Sequence, residues 1–174
     1  MSETIVILDY NMGNLNSVKK KITKLGANVI TSSKKKDILN ASKIILPGVG
    51  HFGKAMDNLK ELDLIDALNE AVLKNKTPIL GICLGMQIMT NLSEEGNVKG
   101  LGWIDAEVVK FNVGNTLKFK VPHTGWNQIV NEKESKLMIN VPDKSEFYFV
   151  HSFHLRVNDS SLVLNKTEYE YTFP

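Results

Sequence analysis

The residues with the clearest chemical potential surround the single cysteine of the chain, Cys83. It lies in Gly-Ile-Cys-Leu-Gly, directly after the apolar run 78–80. A strand that ends in Gly-x-Cys-x-Gly and leads into a helix is the thiol form of the nucleophile elbow. The flanking glycines, Gly81 and Gly85, permit a tight turn, and the N-terminus of the following helix favours thiolate over thiol. A lone cysteine is otherwise a small buried hydrophobe, but this combination favours a reactive nucleophile.

A second glycine-rich turn, Pro-Gly-Val-Gly at residues 47–50, also follows an apolar strand. In an open α/β sheet, ligands bind beyond the carboxyl ends of the strands. Backbone N–H groups of such a neighbouring loop, together with that of Leu84, would form an oxyanion hole beside Cys83. The simpler interpretation is a strand-to-helix turn. Its pairing with the elbow favours the oxyanion role.

Side chains that could bind a substrate follow the cysteine. Gln87 lies four residues on, and so on the same helical face as Cys83. The alternative interpretation is that Gln87 is an ordinary glutamine that faces solvent. Glu94 and Glu95 could hold a substrate ammonium group, although surface carboxylates usually bind nothing.

The sequence offers no evident base to activate the thiol. None of the four histidines lies in a decisive local motif; they are His51, His123, His151 and His154. No metal-ligand spacing such as His-x-x-x-His is present, so we predict no metal site.

Composition restricts the classes of function. The chain has 174 residues, 43% hydrophobic and 23% charged, with a net charge of +2. This composition predicts one soluble domain, spanning residues 1–174, and gives no argument for binding nucleic acid or a membrane. One cysteine suits a reducing compartment, and the N-terminus lacks the features of a signal peptide. We therefore expect a cytoplasmic protein.

Apolar runs alternate with helical spacing through the first half of the chain. Runs at 5–8, 29–30, 44–46 and 78–80 predict strands, and helices are expected at 15–25, at about 55–73 and after Cys83. This alternation implies an open, mostly parallel α/β sheet with helices on both faces. The second half has short β-branched and aromatic runs that predict a partly antiparallel β layer. Those runs are 106–109, 117–119, 147–150, 161–164 and 169–173.

Five blocks, in order along the chain, resemble a known family. The blocks are Leu-Asp-Tyr-Asn-Met-Gly-Asn-Leu-Asn-Ser-Val, Pro-Gly-Val-Gly, Gly-Ile-Cys-Leu-Gly-Met-Gln, Pro-His-Thr-Gly-Trp-Asn and Tyr-Phe-Val-His-Ser. Together they resemble the glutamine amidotransferase subunits of imidazole glycerol phosphate synthase, which are class I (triad) amidotransferases of histidine biosynthesis with a flavodoxin-like sheet. The resemblance runs from residue 5 to the last residue.

The resemblance implies a role for each matching position. Cys83 would attack the carboxamide of glutamine, giving a thioester and ammonia, and water would then release glutamate. The oxyanion would be held by the backbone of Val49, Gly50 and Leu84. Glutamine would be bound by Gln87 and Glu95 and by the backbone of three consecutive residues, namely His151, Ser152 and Phe153. No cofactor is implied.

The family also implies a protein partner. Asn11, Asn14, Trp126 and Tyr148 match positions that face a (β/α)8-barrel cyclase subunit. That subunit receives ammonia through an internal channel and forms imidazole glycerol phosphate and AICAR. Shielded transfer has a chemical reason, because free ammonia in neutral water is mostly protonated and ammonium is not a nucleophile.

The sequence departs from the family pattern at the triad. In the family, the other two members are the His and Glu of a Gly-x-Gln-Phe-His-Pro-Glu segment near the C-terminus, and none of the four histidines here precedes Pro-Glu. We expect a C-terminally incomplete amidotransferase domain that, as written, turns over glutamine poorly. The alternatives are a non-catalytic docking partner of the cyclase and a glutaminase for a related synthase in surface-glycan biosynthesis.

Overall fold

Apolar runs in the first part of the chain form the parallel sheet that the sequence predicts. The computed structural model describes residues 3–174, which divide into two compact units, one ending at Ile104 and one starting at Asp105. The strands of the first unit are β1 (Thr4–Leu8), β2 (Asn28–Ser32), β3 (Lys43–Gly48), β4 (Ile79–Cys83), β5 (Thr90–Ser93) and β6 (Val98–Lys99). Its helices are α1 (Leu15–Lys24), α2 (Lys35–Leu39), α3 (Phe52–Glu61), α4 (Ile65–Asn69) and α5 (Leu84–Gln87), with a π-helical turn at Glu70–Lys74.

The main sheet of this unit has the strand order β2-β1-β3-β4, and every neighbouring pair is parallel. The chain first moves from β1 to β2 and then back past β1 to β3. Right-handed crossovers in opposite directions place α1 on one face and α2 and α3 on the other. The order reverses between β1 and β3, and the carboxyl ends at such a switch point form the usual ligand crevice. The predicted fold class is confirmed.

Helix α1 packs as its apolar spacing predicts. Its inward residues cover a cluster on three strands; the helix contributes Leu15, Val18 and Ile22, and the strands contribute Ile7, Val29 and Ile45. The predicted helix 15–25 includes Leu25, whose spacing would continue the same apolar face, and this part of the prediction is wrong. Leu25 ends the helix instead and is 80% exposed.

The single long helix predicted at about 55–73 is also wrong. Helix α3 begins earlier, at Phe52, and ends at Glu61. Asp63 then adopts a φ of 52°, which interrupts the helix, before α4 and the π-helical turn. The break allows Leu64, which is fully buried, to point inward. Apolar spacing continues across the break, so the sequence pattern does not reveal it.

The second unit is antiparallel throughout its paired strands. They are β7 (Ile104–Lys110), β8 (His123–Gln128), β9 (Val130–Asn131), β10 (Glu146–His151), β11 (Phe153–Val157), β12 (Asn165–Tyr169) and β13 (Tyr171–Phe173). The pairs are β7 with β11, β8 with β10, β9 with β12, and β12 with β13.

Two predicted strands of the second half are turns. In the run 117–119, Leu117 and Lys118 lie in a turn, and the Asn115 side chain accepts a hydrogen bond from the Lys118 N–H at 3.2 Å. The first half of the run 161–164 belongs to a 3-10 turn, Ser160–Leu162, where the Asp159 side chain accepts from the Ser161 N–H at 2.8 Å. Asn and Asp favour such turns because their side chains bond the nearby backbone. That local preference overrides the β-branched composition.

Among residues 3–174, no helix is long and apolar enough to cross a membrane.

Candidate active site

Cys83 occupies a strained backbone position at the junction of β4 and α5. Its φ of 54° and ψ of −117° lie outside the regions that side chains other than glycine favour. Such strain costs about 1–3 kcal/mol and persists only where the surrounding structure enforces it. The side chain is exposed. The residue type most capable of nucleophilic attack therefore stands at the most strained point of the turn.

The two glycines beside Cys83 serve close packing. A Cβ on Gly85 would lie 1.7 Å from the carbonyl oxygen of Leu46, and a Cβ on Gly81 would lie 2.5 Å from the Cα of Met86. No side chain fits at either distance. Gly81 and Gly85 therefore allow α5 to pack closely against β3 and β4. The unusual backbone dihedral angles of the turn belong to Cys83, not to either glycine.

Helix α5 is shorter than the sequence suggests. It has four residues, Leu84–Gln87, and the chain is again a strand from Thr90. A single turn has a much smaller dipole than a full helix. The first N–H of the turn, that of Leu84, remains next to Cys83.

The second glycine turn lies beside the cysteine. In the parallel pairing of β3 with β4, Gly48 is opposite Cys83 and Pro47 is opposite Ile82. The chain then leaves the sheet through Val49, which is 66% exposed, and Gly50, which has a φ of 121°. The structure thus brings together the two turns that the sequence analysis selected, at the carboxyl edge of the sheet.

Tyr10 and Asn58 complete this edge, and the sequence analysis missed both. The fully buried Tyr10 donates its hydroxyl to the Pro47 carbonyl at 2.7 Å, and the Asn58 amide donates to the Tyr10 carbonyl at 2.9 Å. Burial raises the pKa of Tyr10 far above its usual value, and the nearby Cys83 raises it further. The available signal was its place two residues after β1, at the carboxyl edge.

Glu95 forms a hydrogen bond at the end of the loop that joins β3 to α3. One of its carboxylate oxygens accepts a hydrogen bond from the Phe52 N–H, the first residue of α3, at 2.7 Å. A carboxylate is stabilised at a helix N-terminus. Gln87 is partly buried in α5, and its carbonyl accepts from the Thr90 hydroxyl at 2.8 Å.

In the second unit, His151, Ser152 and Phe153 form the turn from β10 to β11. His151 Nδ1 lies 2.8 Å from the Phe153 carbonyl, which can only accept, so Nδ1 carries the proton. With the His151 ring neutral, its Nε2 accepts from His123 Nδ1 at 3.0 Å. The Asn127 amide lies 3.4 Å from the remaining nitrogen of His123. This chain of hydrogen bonds is complete when both imidazoles are neutral.

Burial supports the same protonation state. Burial, with a further contribution from His151, lowers the pKa of His123 to about 4. The pKa of His151 is also lowered, chiefly by burial and partly by His154, although the bond to Phe153 opposes the change. Both rings are neutral at pH 7.

The remaining two histidines have hydrogen-bond partners of their own. His51 precedes α3, and its Nδ1 accepts from the Gly53 N–H at 3.1 Å. His154 bonds the Leu155 carbonyl at 2.8 Å and the Tyr171 hydroxyl at 3.0 Å. In the described part of the chain, no three His, Cys, Asp or Glu side chains are grouped to hold a metal ion.

The positions implied to face a partner differ in character. Asn14 caps α1 by accepting from the Ser17 N–H at 3.2 Å, and Asn11 is exposed with a φ of 63°. Asn14 and Val49 line one open cleft of about 880 Å³. In the second unit, Trp126 and Tyr148 are cross-strand neighbours, 70% and 57% exposed, with their rings edge to face at 5.7 Å.

Known proteins resemble this chain in sequence over nearly its whole length. Residues 6–171 match the family Glutamine amidotransferase class-I. Imidazole glycerol phosphate synthase subunit HisH 2 of Methanococcus maripaludis is 51% identical, over 97% of this chain and 83% of that protein. Subunits HisH 1 of Campylobacter jejuni and HisH 2 of Pseudomonas aeruginosa are 48% and 40% identical, each over the same shares of both chains.

Solved structures resemble the fold. A crystal structure of a glutamine amidotransferase gives a TM-score of 0.69 at 15% identity, over 94% of this chain and 84% of that chain. The structure of PurLQS from Thermotoga maritima gives a TM-score of 0.60 at 16% identity, over 96% of this chain and 75% of that chain. The sequence matches carry the assignment: this chain belongs to the class I glutamine amidotransferase family, among the HisH subunits of imidazole glycerol phosphate synthase.

Proposed function

We propose that this chain is the glutaminase subunit of an imidazole glycerol phosphate synthase and acts in histidine biosynthesis in the cytoplasm. The Cys83 sulfur attacks the carboxamide carbon of glutamine, and the C–N bond breaks to give a thioester and ammonia. Water then cleaves the thioester to glutamate and regenerates the thiol. The observation that carries this proposal is the strained, exposed Cys83 placed opposite Gly48 in the β3–β4 register.

Charge that develops on the carboxamide oxygen requires N–H donors. We assign them to the backbone of Val49 and Gly50 and to Leu84, since both turns leave the sheet at the same edge. Fixed backbone donors stabilise such an oxyanion without reorganising during the reaction. We assign the base to none of the four histidines, because none of them precedes Pro-Glu as the base does in the family.

Gln87 and Glu95 are the proposed glutamine ligands of the first unit. Glu95 has a second carboxylate oxygen beside the one that binds Phe52, and a carboxylate suits the ammonium group of an amino acid. The backbone of His151, Ser152 and Phe153 enters the proposal through the family resemblance. We further propose that the two compact units together make up one amidotransferase domain.

The proposed partner is a (β/α)8-barrel cyclase subunit that uses the ammonia. The exposed Trp126–Tyr148 pair supports a docking role, since large aromatic side chains dominate the energetics of protein interfaces. Asn11 and Asn14 are the proposed contacts of the first unit. Asn14 and Val49 line the same cleft, which supports a connection between the proposed partner contact at Asn14 and the proposed oxyanion donor at Val49.

Glutamate release by the chain mixed with its cyclase tests the proposal. We expect slow release that requires Cys83, because none of the four histidines is assigned as the base. Cys83→Ala should abolish this release, while cyclase turnover with added ammonium salt is unaffected. Binding of the cyclase without any reaction at Cys83 would favour the non-catalytic docking role. Glutamine-dependent synthesis with a surface-glycan synthase, and not with the cyclase, would favour the related-synthase alternative.

A further inference from the structure

The loop beside Cys83 is held at both of its ends by side chains from elsewhere in the first unit. At its start, the Tyr10 hydroxyl donates to the Pro47 carbonyl at 2.7 Å. At its end, the Phe52 N–H donates to Glu95 at 2.7 Å. Residues 49–51 between these attachments are exposed. Together with the pairing of β3 with β4, these two side-chain hydrogen bonds position the loop backbone.

The Tyr10–Pro47 bond spans the point where the strand order reverses. Tyr10 follows β1 and Pro47 lies in β3, which are neighbouring strands whose carboxyl ends border the crevice. Pro47 immediately precedes Gly48, and Gly48 is opposite Cys83. A displacement of the Pro47–Gly48 peptide would therefore move the loop backbone relative to the sulfur.

The surroundings of the hydroxyl leave little room for another arrangement. A Cβ on Gly48 would lie 2.7 Å from the Tyr10 hydroxyl oxygen and 2.7 Å from the Gly85 nitrogen. Tyr10 is fully buried, and its own backbone is held by Asn58 of α3. Its raised pKa keeps the hydroxyl protonated, and so a donor, across the range in which a thiolate forms.

We propose that Tyr10 is a positioning residue for the glutaminase reaction: its hydroxyl holds the Pro47 carbonyl so that the backbone of Val49 and Gly50 faces the oxyanion formed at Cys83. This inference rests on the proposed function. It assigns no contact with the substrate to Tyr10. The role belongs to the hydroxyl alone, because the ring would fill the same space in phenylalanine.

Two electrophiles separate loop positioning from the reactivity of the thiol. Iodoacetamide alkylates the sulfur by displacing iodide, and no oxyanion forms. The sulfur adds to the carbonyl of the chloromethyl ketone analogue of L-glutamine, which places an oxyanion in the proposed hole. The sulfur then moves to the adjacent carbon as chloride leaves and the carbonyl re-forms, giving a thioether. We expect Tyr10→Phe to react about tenfold more slowly with the chloromethyl ketone. Its rate with iodoacetamide, at the same pH, should stay within twofold of wild type.

A matched control removes an equivalent hydroxyl elsewhere. Tyr169 also donates to a backbone carbonyl, that of Lys120, at 2.8 Å, but in the second unit. Tyr169→Phe should leave both rates unchanged. Incorporating 4-aminophenylalanine at position 10 restores a donor and should recover most of the lost rate with the chloromethyl ketone.

The outcomes distinguish this inference from the proposed function. A wild-type protein that reacts equally fast with the L- and D-forms of the chloromethyl ketone overturns the proposed function and the inference with it. A selective wild-type protein whose Tyr10→Phe variant keeps both rates overturns only the role of Tyr10. Equal slowing with both reagents, or loss of the folded state in circular dichroism, also overturns it by assigning the hydroxyl to the fold.

Discussion

Cys83 combines reactivity with backbone strain, and the strain can be measured separately. Its φ of 54° is unfavourable for any residue with a Cβ but readily adopted by glycine. We expect Cys83→Gly to be more stable than Cys83→Ala by about 1 kcal/mol, although glycine is usually the less stable choice in regular structure. Urea unfolding of the two variants provides the comparison. An alanine variant as stable as the glycine variant would show that the turn relaxes when the thiol is removed.

His123 is a second residue whose environment makes a clear prediction. Burial lowers its pKa to about 4, with His151 contributing, and its neutral ring both donates to His151 and faces the Asn127 amide. We therefore expect the ring signals of His123 in NMR spectra of histidine-labelled protein to titrate near pH 4. A midpoint near 6.5 would mean that water reaches the ring and that the hydrogen-bonded chain opens.

Packing between α5 and β3 leaves no space for a side chain at Gly85. Because a Cβ there would lie 1.7 Å from the Leu46 carbonyl oxygen, Gly85→Ala must separate the helix from the strand. We expect a loss of roughly 3 kcal/mol or more in the free energy of unfolding, together with loss of Cys83 reactivity. Urea unfolding and alkylation by iodoacetamide measure the two effects.

A glycine in the first turn of α3 is the matched control. A Cβ on Gly53 meets its nearest atoms, those of the His51 ring and Val98, at 3.3–3.4 Å. Alanine gains up to about 1 kcal/mol of helix propensity over glycine, which offsets these close contacts. Gly53→Ala should therefore stay within about 1 kcal/mol of wild type. Similar losses in both variants would contradict the packing argument.

Elements with strong apolar periodicity were predictable, and those set by local polar contacts were not. The parallel strands and α1 follow from runs and spacing that burial on the sheet requires. The break at Asp63 does not, because Leu62 and Leu64 preserve the apolar pattern while the backbone turns between them. The turn at 117–118 depends on the side chain of Asn115, whose local preference for a turn outweighs the strand-forming composition of the run.

The candidate site was predictable where a motif encodes backbone geometry. Gly81 and Gly85 mark the elbow in the sequence because only glycine permits the approach of α5. Tyr10 was not found, since its role depends on the pairing of β1 with β3, which brings it to Pro47, a residue 37 positions away along the chain. Contacts of this kind require the tertiary structure.

Acid should affect the two compact units of the molecule differently. His123 and His151, whose pKa values are lowered, both belong to the second unit, and the first unit contains only His51. As the pH falls below about 6.5, His123 and His151 bind protons in the unfolded state while they stay neutral in the folded state. The stabilisation is therefore complete above pH 6.5 and decreases progressively toward pH 4. Allowing for partial screening by water, we expect a loss of roughly 1–2 kcal/mol.

Hydrogen exchange measured by mass spectrometry at pH 7.5 and pH 5, corrected for intrinsic rates, tests this difference. Peptides from residues 105–174 should lose protection at pH 5, whereas those from the parallel sheet of the first unit should keep it. His123→Phe keeps a ring that can stack between Phe149 and Tyr169, at 4.9 Å and 4.0 Å, but cannot bind a proton. It should therefore reduce the dependence on pH. Equal loss of protection in both units would contradict the assignment of acid sensitivity to the His123–His151 pair.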